Sequence, residues 1–149
     1  MNKFPREIIF LINSYSQCTN LYKVIEYITK NECIFSIKFS FIEVTSGLPT
    51  GPSFINLHTI DCSLCRLTQI PNFMNLPNLE VLNCSSNQLT QIPNFTNLPS
   101  LNKLNCSNNQ LTEIPNFTNL PNLRELYCHG NGLSKVPDFK KCPRLTVYR

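Results

Sequence analysis

The chain repeats itself at a fixed period. Leu79–Ser100 and the 22 residues that begin at Leu101 are near copies. The same frame extends upstream from Leu57 and downstream from Leu123, then restarts at Leu145 and runs for five residues. Self-similarity at one fixed, short period excludes most globular architectures. It dictates a stack of small supersecondary units, each packed only on its neighbours, whose apolar faces form one continuous core.

The frame reads Leu-x-x-Leu-x-Cys-x-x-Asn-x-Leu-x-x-Ile-Pro-x-Phe-x-x-Leu-Pro-x. Leu79, Leu82 and Cys84 have the spacing of a short strand crossing a core,. Ile70, Ile92, Ile114 and Val136 form a second apolar column, and Phe73, Phe95, Phe117 and Phe139 a third. Leu76, Leu98 and Leu120 form a fourth, which Cys142 continues. Pro71, Pro93, Pro115 and Pro137 lock φ and lack a backbone donor, so those places cannot lie inside a helix,. A second column, Pro77, Pro99, Pro121 and Pro143, repeats the argument further along each copy. The side opposite the strands is therefore expected to be extended or short 3-10 structure.

Apolar residues at the first, fourth and sixth places, followed by Asn and then Leu, resemble the leucine-rich repeat family, in its 22-residue class,. The resemblance covers residues 57–149. It implies an α/β solenoid: a short helical N-terminal cap, then a curved leucine-rich repeat stack with a parallel sheet on its concave face and 3-10 or extended segments on its convex face. The expected division is a cap over 1–34 and repeats over 35–149. The repeats are 35–56 (degenerate), 57–78, 79–100, 101–122, 123–144 and the truncated 145–149.

The first fifty residues have a different composition. Ile8, Ile9, Ile12 and Tyr15 suit one broad helical face, with Pro5 in a first turn and Glu7 at its positive end,. A second helix is predicted from about Thr19 to Lys30,. Cys33 to Val44 is strand-like, with Ile37, Phe39 and Phe41 alternating against Lys38 and Ser40,. Phe4-Pro5-x-Glu7-Ile8, followed by Ile12 and Leu21, resembles the opening of an F-box. That resemblance would make Phe4, Pro5, Ile8, Ile12 and Leu21 the contacts to a ubiquitin-ligase adaptor. It lacks a third helix, because the corresponding stretch reads as strand, and a plain helical cap is the competing reading.

Catalysis finds no residues to carry it. His58 and His129 stand three repeats apart, acids are scattered singly, and the four glycines form no phosphate-binding loop. Cys62, Cys84, Cys106 and Cys128 share one inward column, but a column climbing one strand per repeat spreads its ends over about 14 Å, too far for one tetrahedral metal ion,. They read as compact apolar filler, with Cys65 standing where the frame has Asn,. No metal and no cofactor is expected. Asn87, Asn109 and Asn131 read as structural, each able to satisfy turn amides and carbonyls with one short side chain,.

The net charge of +4 is concentrated at one end: Lys135, Lys140, Lys141, Arg144 and Arg149 against Asp138. This reads as a solvated basic cap that keeps the last strand from self-pairing, so a monomer is expected. No nucleic-acid motif accompanies it. The longest early apolar run, Ile8 to Ile12, is too short for a membrane span or an export signal,. An intracellular, cytoplasmic setting with reduced thiols is therefore expected. Abundant Asn, Ile, Phe and Lys resemble proteins of AT-rich genomes such as giant viruses of amoebae, which would make that setting a host cell's cytoplasm.

The remaining chemistry lies on strand positions that point away from the core. These are Thr59, Asp61 and Ser63; Val81, Asn83 and Ser85; Lys103, Asn105 and Ser107; and Glu125, Tyr127 and His129. Small polar residues dominate until the last copy, where Tyr127 and His129 appear. The expected function is non-enzymatic binding of a protein partner on this concave face. Asp61, Val81, Asn83, Lys103, Asn105, Glu125, Tyr127 and His129 are the contact residues, and Tyr127 with Lys103 and His129 is the expected focus.

Overall fold

A computed structural model describes residues 8–11, 36–40, 57–70, 76–139, 142 and 144–149. Among the described residues, seven strands pair in sequence order into one parallel sheet: β1 (Ile8–Leu11), β2 (Ser36–Ser40), β3 (Thr59–Asp61), β4 (Val81–Asn83), β5 (Lys103–Asn105), β6 (Glu125–Tyr127) and β7 (Thr146–Tyr148). The register follows the repeat period through the middle of the sheet, with Ile60 beside Leu82, Leu82 beside Leu104 and Leu104 beside Leu126. The strands are short because each coil turns away immediately after its strand. Leu64, Ser86, Asn108 and Gly130, one per coil, take left-handed φ values of 58°, 55°, 53° and 66°. Glycine suits the last of these, because a Cβ at Gly130 would run into the Asn108 side chain,.

The apolar columns meet in one core. Leu82, Leu104, Leu126, Leu89, Leu111 and Phe117 have no exposed surface. Ile92, Ile114, Phe95, Leu98, Leu120 and Cys142 are also buried, as the frame requires. Phe139 stacks on Phe117 with centroids 6.2 Å apart. Among the described residues no helix forms, and the side opposite the sheet consists of turns and extended chain. The 3-10 pieces expected there are likewise absent from the described residues.

The N-terminal segment departs from expectation. Ile8–Leu11 is a strand, not part of a helix, and it pairs with β2, Ile8 beside Ile37 and Phe10 beside Phe39. Two β-branched residues followed by an aromatic favour an extended chain, and pairing on a ready sheet edge overrides a helical spacing that only four residues carry. The strand reading of Cys33 to Val44 holds for Ser36–Ser40. Phe4, Pro5, Ile12, Leu21 and the expected second helix lie outside the described residues.

A second departure lies at the other end. Leu145 N–H donates to Cys142 O as Leu123 N–H donates to Leu120 O, so Leu145 keeps the frame. The next residues do not. Val147, not Tyr148, aligns with Leu126, and Tyr148 aligns with Tyr127. One residue has been dropped between Leu145 and β7. In a strand, a one-residue slip moves every side chain to the opposite face. Here it sets Val147 against the core and turns Tyr148 out onto the open face of the sheet.

Candidate binding face and the chemistry of the coils

Two hydrogen-bonding systems hold the coils, one inside and one on the open sheet face. Inside, Asn109 Oδ1 accepts the Leu89 N–H at 3.0 Å, while its Nδ2 donates to the carbonyls of Cys84, Cys106 and Ser107. Asn87 does the same one coil earlier, its Oδ1 taking the N–H groups of both Cys65 and Leu67. Asn131 does so one coil later, accepting the Leu111 N–H. Each Asn thus joins its own turn to the preceding one and supplies the partners that buried backbone groups need. Cys65, standing in the Asn place, donates its thiol to Ser63 O at 3.3 Å.

On the open face, the polar residues of β3, β4 and β5 satisfy one another. Asp61 Oδ1 accepts from Ser63 N–H and Ser63 Oγ, Asn83 Oδ1 from Ser85 N–H and Oγ, and Asn105 Oδ1 from Ser107 N–H and Oγ. Asn83 Nδ2 adds a rung to Asp61 Oδ1 at 3.1 Å. These are Asx turns that start the reversal after each strand. Ser107, expected to face solvent, is 3% exposed and is tucked under this turn. Asp61, Asn83 and Asn105 therefore spend much of their hydrogen-bonding capacity on the fold. Val81 lies half-buried beside Thr59 and Lys103.

The last strands differ. Lys103 Nζ lies 2.9 Å from Glu125 Oε2 and 4.8 Å from the centre of the Tyr127 ring. Tyr127 donates its hydroxyl to the same Glu125 oxygen at 3.0 Å. Tyr148 covers the other side of Tyr127, with ring centroids 4.3 Å apart and planes 6° from parallel. One carboxylate thus fixes both the ammonium and the phenol, and the phenol ring sits between a cation and a second ring. The hydrogen bond from Lys103 draws the Glu125 carboxyl below its ordinary range and raises the Lys103 ammonium, while the bond to Glu125 raises the Tyr127 phenol.

Of the expected focus, Lys103 and Tyr127 do come together. His129 is exposed and stands apart, lining a depression at the end of the stack with Lys135 and Arg149. Tyr148, 42% exposed, belongs to the cluster, although the 22-residue period sets it over Leu126. The signal that could have found it is the alternation of Val147 and Tyr148, which only one register reconciles with an apolar core.

The six described cysteines are free and buried. Burial pushes the Cys106 thiol up to about 12, and raises those of Cys62 and Cys84 well above their ordinary value. Among the described residues no three metal-binding side chains gather, and no helix is long and apolar enough to cross a membrane.

A family model for leucine-rich repeats, covering two copies at a time, matches residues 55–98 and again 99–141. The crystal structure of InlP from Listeria monocytogenes is similar over 76% of this chain, at 36% identity and a TM-score of 0.68. A leucine-rich repeat protein of Leptospira interrogans is similar over 78%, at 24% identity and a TM-score of 0.55, a likeness of fold. The chain spans 33% and 30% of the lengths of those two chains. No curated protein sequence matches it.

Proposed function

The chain belongs to the leucine-rich repeat family, and we propose that it is a non-enzymatic module that binds a protein partner on the open face of its sheet, at the cluster formed by Lys103, Glu125, Tyr127 and Tyr148. One observation carries this reading. Asp61, Asn83 and Asn105 on β3 to β5 are committed to Asx turns, whereas β6 and β7 present a pre-ordered pair of tyrosines beside the Lys103–Glu125 ion pair, partly exposed. Rigid aromatic residues flanked by charge bury large area at small entropic cost and dominate binding energy in protein interfaces. Asp61, Asn83 and Asn105, with the apolar Val81 beside them, then form the margin of the surface.

The test is affinity capture from the native cell with the wild-type chain and with Tyr127→Ala, both checked for unchanged secondary structure. A protein retained by the wild type and lost with Tyr127→Ala supports the reading. Partners retained equally by both chains contradict it. Recovery of a cullin adaptor would bring in the ubiquitin-ligase receptor, in which Phe4, Pro5, Ile8, Ile12 and Leu21 would form the adaptor contact; the strand at Ile8–Leu11 does not favour it.

A further inference from the structure

In the middle of the open face, the Asx turns consume acceptors and leave donors. Asp61 Oδ1 carries three donors: Ser63 N–H, Ser63 Oγ and Asn83 Nδ2. Its carboxylate charge supports the third. Asn83 Oδ1 is a neutral amide oxygen with two lone pairs, and Ser85 N–H and Oγ fill them at 3.2 Å and 2.8 Å,. The rung that joins Asn83 to Asp61 is therefore not repeated one strand on. Asn105 gives its Oδ1 to Ser107, and its Nδ2 has no acceptor among the described residues. Its neighbour on β6 is Tyr127, whose hydroxyl is turned to Glu125.

Spacing and charge say what fits there. Lys103 and Asn105 lie on the same side of β5, two residues and so about 6.6 Å apart,. Same-edge carbonyls of an extended peptide recur at that interval. Lys103 has three N–H groups and commits them only in part, to Glu125 Oε2 and toward the Tyr127 ring,. Glu125 already neutralises Lys103 from 2.9 Å, so a partner carboxylate would meet a like charge,. A neutral carbonyl meets none. Val81 on β4 and Tyr127 on β6 flank β5 and offer apolar surface on either side.

We infer that the open face takes an extended segment of its partner protein laid lengthwise over β5, whose main-chain carbonyls accept from Asn105 Nδ2 and Lys103 Nζ. The inference rests on the open face being the binding surface, and it adds what that face recognises: neutral main-chain acceptors, not acidic side chains.

The probe is a set of twelve-residue peptides selected from a random displayed library on the full chain, keeping those that Tyr127→Ala does not bind. Asn105→Asp is the decisive variant. Asp61 supports the same turn in β3, so the exchange keeps the Ser107 bonds and replaces an amide donor by an acceptor. The peptides should bind Asn105→Asp about tenfold more weakly, as loss of one hydrogen bond does. They should also shift the Asn105 side-chain amide protons of the wild-type chain downfield. Combining Asn105→Asp with Glu125→Gln restores the net charge of the face, and binding should stay weak. Exchanging any Asp or Glu of the peptides for Asn or Gln should leave binding unchanged. Peptides bound equally by Asn105→Asp, or recovered by the double variant, would overturn this inference and leave the open-face reading standing. Peptides that need an acidic side chain would overturn it in favour of carboxylate recognition. A library yielding no Tyr127-dependent peptide would overturn both together.

Discussion

Tyr148 lies flat on Tyr127, with centroids 4.3 Å apart, although the repeat period would set it over Leu126. The pairing follows from the residue dropped after Leu145, and it converts a core position into part of an exposed aromatic cluster. A double-mutant cycle over Tyr127→Ala and Tyr148→Ala, read by urea unfolding, should give a coupling of about 0.5–1.5 kcal/mol. Tyr148→Ala alone should cost far less than the 3–5 kcal/mol or so of a buried aromatic truncation. Zero coupling with a large single loss would restore the unslipped register.

Leu104 is fully buried in the middle of the stack, and Leu104→Ala should destabilise by about 2–5 kcal/mol,. Ser107→Ala should cost about 1 kcal/mol, because a buried hydroxyl and its bond to Asn105 are lost,. Denaturant unfolding of both variants checks the order. A solvated serine at that place would have given a change within about 0.5 kcal/mol.

Asn109→Ala removes one acceptor and the donor shared among three carbonyls. Leaving even two of those buried groups unsatisfied should cost about 2–6 kcal/mol. Amide exchange should rise at Leu89 in particular, since its N–H loses its acceptor. Protection at Leu89 equal to that of the wild type would mean that the Asn ladder does not carry the turn.

These elements differ in how legible they were. The period, the described members of the Leu, Ile and Phe columns, the ladder of Asn87, Asn109 and Asn131 and the parallel pairing from β3 to β6 follow from one frame, and they appear where that frame sets them. Ile8–Leu11 was not legible because four apolar residues fit a helical face as well as a strand, and only pairing with Ser36–Ser40 decides. The slip before β7 was hidden because Leu145 restores the frame immediately before the chain departs from it. Ser107 looked solvated because a small polar residue on the open face carries no mark of the Asx turn that buries it. Glu125 was legible as a surface residue, but its role in fixing both Lys103 and Tyr127 depends on side-chain directions that spacing does not encode.

The cluster should respond to pH in a defined direction. Glu125 has a carboxyl pKa lowered by Lys103 and by the Tyr127 hydroxyl, so the pairing is present above the unfolded carboxylate range and is lost as pH falls through the folded value,. The raised Lys103 and Tyr127 values set the opposite limit, with the pairing lost as pH rises through the folded ammonium value,. An NMR titration should place Glu125 below an ordinary glutamate, and Lys103→Met should return it toward that value. A Glu125 unmoved by Lys103→Met would deny the ion pair.

Cys84 and Cys106 should resist a thiol reagent at neutral pH in the folded chain and react fully in denaturant, since burial removes both access and thiolate,. Rapid labelling of either in the native state would contradict the packed column.

A partner docked on the open face at β6 and β7 lies within reach of Thr146. A photo-crosslinking residue at exposed Thr146, which aligns with Glu125, tests it against the same residue at exposed Glu113 on the opposite side. The expected result is a partner adduct from position 146 that is lost with Tyr127→Ala, and none from position 113. An adduct from 113 and not from 146 would contradict it.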